Sequence, residues 1–262
     1  MEARPDFQGM AQRFDSKGVS AIALVGSHAR GDAGPYSDVD IIRFVSNAGS
    51  RYNSVDGTYI LDSHLVVVKT VLPKEIDDWF AKPQLAIAVI PGLRSAIPLV
   101  DRHGFLTALQ ERARLFVWDE AMQQRASAWA SKQMVGWIEE VHKGLEGLNQ
   151  NDIGRLLNAR FGLSWGLSRV MQVQRGVLLS GDNAFFDAVA ASVGDASVWT
   201  QLRRTVFGIQ AEGKERPVPL GDQVIAGLRL YVETAALLGD AISAHDQPLI
   251  DSTVALINSV LS

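Results

Sequence analysis

The chain has 262 residues, a formal net charge of -4 and no cysteine, which excludes disulfides, thiolate metal sites and a cysteine nucleophile. The acidic balance lacks the basic excess by which duplex-binding proteins neutralise phosphate, so nucleic acid is not an expected partner and a small or cationic substrate suits the surface better. Hydrophobic residues make up 47%, enough to exclude wholesale disorder and to build one large or two smaller cores.

The chain begins with a polar stretch, Met1 to Asp15, that does not read as a signal peptide. No run of about 18 uninterrupted apolar residues reads as a membrane span, so a cytoplasmic location without a membrane partner is expected. Residues 7–16 predict a short helix. Val19 to Val25 and Val39 to Val45 are apolar runs of strand length. Asp56-Gly57 is a turn signal, and Thr58 to Thr70 predicts one long strand. Pro73 to Lys82 predicts a helix with proline in its first turn and Trp79 and Phe80 toward the core. Ala96 to Val100 predicts a last strand, at an edge because of Pro98.

Beyond this point the pattern turns helical. Residues 118–147 predict one long helix, with Met134, Ile138, Val141 and Leu145 at helical spacing. Asn151 is suited to cap the next helix, whose stripe is Leu156, Leu163, Leu167 and Val170. Gly181-Asp182 breaks the pattern, shorter helices follow at 183–193 and 196–210, and 211–220, with Gly213, Pro217 and Pro219, predicts a loop. Helices at 221–245 and 248–261 close the chain. Trp129, Trp137, Phe161 and Trp165 fall at helical spacings and read as core. The fold class is therefore α+β. A mixed-sheet domain precedes a helical bundle, with the boundary between Asp101 and Asp119; this gives domains 1–110 and 111–262.

The chemistry concentrates in residues 25–42. An apolar strand runs into Gly26-Ser27. Gly26 lets the backbone approach a ligand closely, and a helix starting here would offer free N–H groups to a triphosphate. Arg30 adds a planar donor for phosphate oxygens. Ten residues on stands Asp38-Val39-Asp40. On a strand, alternation puts both carboxylates on one face, and a divalent cation relieves their repulsion; Mg²⁺ favours carboxylate together with substrate phosphate. Taken singly, a Gly-Ser turn and an Asp-x-Asp are common surface features; it is their combination and spacing that point to a site.

This segment resembles the DNA polymerase β superfamily of nucleotidyltransferases, whose pattern is Gly-Ser, a gap of about ten residues, then Asp-apolar-Asp. Gly34-Pro35-Tyr36-Ser37-Asp38 is similar to the aminoglycoside (kanamycin) 4'-type enzymes. A small α/β domain followed by a helical bundle also resembles those enzymes and the lincosamide nucleotidyltransferases. Asp101-Arg102-His103-Gly104 is similar to a turn that ends their catalytic domain. One departure is Asp40, where the 4' enzymes tend to carry Glu.

The resemblance implies two Mg²⁺ ions on Asp38 and Asp40, and an NTP, with ATP expected, held by Gly26, Ser27, His28, Arg30 and Ser37. It implies a third carboxylate on a neighbouring strand. Asp62, the only acidic residue of the long apolar run, is the candidate metal ligand or base; the alternative is a carboxylate at a solvated strand end. It also implies a bundle glutamate as general base on the acceptor hydroxyl. Glu140 is the candidate and Glu139 the second, although a solvated helix face explains both. His64 would share a strand face with Asp62, and His103 reads as part of a surface turn. The implied reaction is nucleotidyl transfer to a hydroxyl of a small molecule, an aminoglycoside or lincosamide antibiotic, with release of pyrophosphate. Related enzymes often build the site at a dimer interface, so a homodimer is admitted. Two rivals stand beside this reading: a toxin-like enzyme acting on a protein or tRNA, and an inactive nucleotide-binding module. Retention of both Asp38 and Asp40 argues for activity.

Overall fold

The computed structural model describes residues 5–46, 55–210 and 217–262. The chain divides into two compact units, one comprising Met1–Trp118 with Leu178–Ala184, the other Asp119–Val177 with Phe185–Ser262. The connection containing Asn47 and Gly49, and the loop around Gly213, lie outside the described residues.

In the first unit, α1 (Phe7–Phe14) is capped by Asp6, whose carboxylate accepts from Gly9 N at 3.0 Å. Next come β1 (Val19–Val25), α2 (Gly26–Arg30), β2 (Val39–Val45), β3 (Gly57–Leu61) and β4 (His64–Val71). The unit continues with α3 (Pro73–Ala81), α4 (Pro83–Ser95), β5 (Ile97–Asp101), a 3₁₀ turn at Arg102–Gly104 and α5 (Phe105–Arg114). The five strands form one mixed sheet in the order β3-β4-β2-β1-β5. Strand β2 runs antiparallel to β1 and parallel to β4. Alternation sorts the side chains. Val39 and Ile41 of β2 join Ile22, Leu24, Val66 and Val68 in a core closed by Met10, Ala11 and Phe14 of α1. On the other side, Phe44 packs its ring against Trp79 of α3 and Phe105 of α5. Pro98 sits on edge strand β5, where no second neighbour needs its missing N–H.

The expected single strand from Thr58 to Thr70 is instead a hairpin. Asp62 and Ser63 both have positive φ, 50° and 66°, and reverse the chain in a two-residue turn. Left-handed backbone at both central positions matches the twist of a tight hairpin, and aspartate tolerates it better than most residues. Asp56-Gly57 is not that turn: Gly57 opens β3, and the Asp56 carboxylate accepts from Thr70 N at 2.7 Å. The chain joining Val39–Val45 to this segment, with Asn47, Gly49 and Asp56-Gly57, reads in the sequence as a connection between antiparallel neighbours; instead β4 reaches β2 in parallel and β3 becomes the edge. Helices α4 and α5 have no counterpart among the elements expected from sequence.

The second unit is helical, with no strand among its described residues. The long helix expected over 118–147 bends at Trp137 into α6 (Glu120–Gly136) and α7 (Ile138–Gln150). Asn151 does not cap the next helix. It adopts φ 53° and ends α7, and Asp152 caps α8 (Ile153–Phe161) by accepting from Arg155 N. A wide π-helical turn at 162–166 leads into α9 (Leu167–Gln174). The stripe Leu156, Leu163, Leu167 and Val170 is buried as expected. Phe161, the last residue of α8, and Trp165, inside the π turn, are not core: both residues are exposed, and Trp165 stacks on Phe185. The unit closes with α10 (Phe185–Val193), α11 (Val198–Val206), α12 (Leu220–Leu238), a 3₁₀ turn at Gly239–Ala241 and α13 (Gln247–Leu261).

Candidate active site

The register of β1 on β2 sets Val25 opposite Asp40, so the carboxylate of Asp40 lies against the first residue after β1. That residue is Gly26, with φ +69°, and a Cβ built on it would come within 2.2 Å of Asp40 Oδ2. Glycine is therefore required twice, for its backbone conformation and for the space beside the carboxylate. Gly26 opens the five-residue α2, which ends at Gly31 with φ +83°; Ser27 O accepts from both Gly31 N and Asp32 N. Asp38 stands immediately before β2, and Val39 between the two carboxylates is buried in the core beneath.

Asp40 is half-buried. Desolvation first, then the charge of Asp38, push its carboxyl up to about 6, against the opposing pull of Arg30. A folded-state value above the ordinary 3.8 means that the folded protein binds this proton more tightly than the unfolded chain. The resulting penalty is fully present above pH 6 and is relieved as pH falls from about 6 toward 3.8. Wild-type protein is therefore expected to gain stability relative to Asp40→Asn between about pH 7.5 and about pH 5, as read by denaturant unfolding of the two proteins. A constant difference across that range would contradict the assignment.

Arg30 reaches Asp32, with Nε 3.2 Å from Oδ2 and Nη2 3.1 Å from Oδ1, and its Nη1 donates to Ser180 O. Ser37 closes the loop before the carboxylates: its Oγ accepts from Gly34 N at 2.9 Å, and its own N–H donates to Gly34 O. The His28 ring turns to Phe7 of α1, with centroids 5.4 Å apart and Nε2 buried without a hydrogen-bond partner among the described residues.

Asp62 is not on a strand face, the premise on which its metal or base role was expected. It occupies the hairpin turn and pairs with Arg13 of α1 at 3.7 Å. The residue of β4 directly across from Asp40 is Val67. Among the described residues no group of three or more His, Asp or Glu side chains is arranged to hold a metal ion, so Asp62 does not join Asp38 and Asp40 in such a cluster. Asp62 instead borders a groove of about 680 Å³, lined also by Pro35, Tyr36, Ile60, His64 and Leu65. Tyr36 is 99% exposed and Ile60 71%, so the groove offers apolar surface to a ligand.

Glu140 belongs to the second unit. Lys143 donates to its Oε1 at 2.8 Å and lies 2.9 Å from Glu139 Oε1, holding the exposed Glu139 carboxyl below its usual range. The other oxygen of Glu140, Oε2, is buried without a partner among the described residues. Sequence reasoning missed Asp32 and Ser180 as partners of Arg30; Ser180 lies 150 residues away, and no local pattern marks such a contact.

Residues 8–95 match the family model described as a nucleotidyltransferase domain. No curated protein matches the chain. Among solved structures, a nucleotidyltransferase-like protein from Exiguobacterium sibiricum 255-15 is similar, with 13% identity and a TM-score of 0.49 over 88% of this chain and 75% of that one. Gly26, Arg30, Asp38 and Asp40 all fall inside the matched residues: the chain carries a nucleotidyltransferase domain of the DNA polymerase β type and is a nucleotidyltransferase.

Proposed function

We propose that this enzyme transfers a nucleoside monophosphate from an NTP, with ATP the expected donor, to a hydroxyl of a small molecule of the aminoglycoside or lincosamide kind, and releases pyrophosphate. The observation that carries the reading is the carboxylate pair itself. Asp38 and Asp40 sit side by side, and Asp40 is half-buried against a glycine with its carboxyl held up at about 6. Such a pair fits a divalent cation, which removes the repulsion. Asp38 and Asp40 would hold Mg²⁺ together with the phosphates of the donor. When bound, the metal would supply charge neutralisation at the reacting phosphoryl group and make the acceptor hydroxyl easier to deprotonate.

The rest is done by the chain's own groups. The N–H groups at the start of α2 and the guanidinium of Arg30 hold the departing phosphates. These lie on the β1 side of β2, whereas β4 and the groove lined by Tyr36, Ile60 and Leu65 lie on the other side. Phosphoryl transfer runs in line, with the attacking oxygen opposite the leaving group. The acceptor therefore enters from the groove side, where the ring of Tyr36 and the side chains of Ile60 and Leu65 offer apolar contact to a ring-bearing molecule. A groove of about 680 Å³ has the capacity of a small-molecule site.

Incubation with Mg²⁺, each of the four NTPs labelled at the α-phosphate, and a panel of aminoglycosides and lincosamides is the direct test. Label is expected on a small molecule. Label on a macromolecule, or nucleotide binding without turnover on any acceptor, would replace this reading with a protein- or tRNA-modifying enzyme or with a binding module.

A further inference from the structure

The segment Leu178–Ala184 stands in sequence between helices of the second unit but belongs to the first. Leu179 N donates to Ile87 O of α4 at 2.8 Å, which fixes the segment against the first unit. The next residue, Ser180, presents its carbonyl to Arg30 Nη1, and the residue after that is Gly181. A Cβ built on Gly181 would lie 2.8 Å from Arg30 Nη2 and 3.1 Å from its Cζ. The guanidinium is thus enclosed between Asp32 on one side and the Ser180–Gly181 backbone on the other, and only 18% of the Arg30 side chain is exposed. Of its five N–H donors, Nε faces Asp32 Oδ2, one on Nη1 is taken by Ser180 O, and Nη2 lies beside Asp32 Oδ1. Among the described residues, donors on the two terminal nitrogens remain, the pairing that serves a bidentate phosphate contact. Arg30 is also near enough to Asp40 to act on its ionisation.

We infer that Gly181 and the Ser180 carbonyl, together with Asp32, position Arg30 for the phosphates of the nucleotide, which makes Gly181 a positioning residue of the nucleotide site. The inference rests on the reading of Arg30 as a phosphate contact. Arg30 is the movable party: a methyl group at Gly181 meets the far end of a flexible side chain, and the φ of Gly181 is not in the left-handed region. Gly181→Ala therefore displaces the guanidinium while leaving the backbone unstrained.

Calorimetric titration of wild type, Gly181→Ala, Arg30→Ala and the double variant with ATP, GTP, CTP and UTP in Mg²⁺ tests it, beside the unfolding midpoint of each protein. For the nucleotide that wild type binds, Gly181→Ala is expected to weaken affinity by about tenfold, the scale of one charge-assisted hydrogen bond, with its midpoint close to wild type. In the Arg30→Ala background the same substitution is expected to have no further effect. Asp32→Asn, which leaves Leu178–Ala184 untouched, repeats the test from the other side of the guanidinium and is expected to show the same non-additivity. Equal weakening by Gly181→Ala in both backgrounds would overturn the positioning role, as would unchanged binding in Gly181→Ala when Arg30→Ala is weakened. Unchanged binding in Arg30→Ala would instead remove the phosphate reading of Arg30, and the inference with it.

Discussion

Asp38→Asn and Asp40→Asn are each expected to lower turnover by about 10³-fold or more while the protein stays folded. Removing a carboxylate from the pair removes the charge that would hold a divalent cation, and such ions contribute several kcal/mol to stabilising the transition state; each 1.36 kcal/mol is about a factor of ten in rate. Stability should move the other way for Asp40. Its carboxyl is held at about 6 by burial and by Asp38, so at neutral pH and above the ionised pair is a standing cost to the fold. The neutral amide of Asp40→Asn removes that cost, and the variant should unfold at a denaturant concentration no lower than wild type. A lost rate with undiminished stability separates a chemical role from a structural one. Folded variants with near-normal rates would dispose of the mechanism.

The second large effect is expected from Gly26→Ala. Alanine at φ +69° bears the strain of left-handed backbone, about 1–2 kcal/mol. Its Cβ would in addition lie 2.2 Å from Asp40 Oδ2, and Asp40 is fixed by β2 between β1 and β4, so the carboxylate has to move away. Both stability and turnover should fall, the latter by about 10²-fold or more because the displaced group is the one that would bind metal. Gly31→Ala is the control. Gly31 has φ +83° but, among the described residues, nothing within 4 Å of its built Cβ, so it carries the strain without the clash. Stability losses of similar size, with the rate lost only in Gly26→Ala, are the expected pattern across unfolding curves and initial rates. Equal rate losses in the two variants would mean that the contact with Asp40 is not what matters.

The parts of this molecule that were readable from sequence are those fixed by neighbours in the chain. Strands β1 and β2 announce themselves as apolar runs, and Gly26-Ser27 and Asp38-Val39-Asp40 fall where those runs end and begin. Asp62 misled because Asp-Ser lacks the glycine that usually marks a two-residue hairpin, so period-two alternation ran unbroken through the turn. Slipping past that turn made one strand of two, and an antiparallel neighbour of β2 out of what is a parallel one. Helix α4 escaped because Leu85 to Ile90 is continuously apolar and Pro91 comes next inside the helix, leaving neither helical period nor a clean stop. The partnership of Arg30 with Ser180 had no local signature, because it joins residues 150 positions apart.

The return of Leu178–Ala184 to the first unit has a consequence for how the protein is made. Synthesis is vectorial, and the residues up to Trp118 leave the ribosome about sixty residues ahead of Leu178. At about 5–20 residues per second that interval is roughly 3–12 s, long compared with the folding of helices and hairpins. The sheet and the carboxylate strand thus become available first, and Arg30 acquires its Ser180 partner only when much of the second unit has already been synthesised. A gene fragment cut after Trp118 would encode every strand of the sheet and still lack the clasp on its arginine.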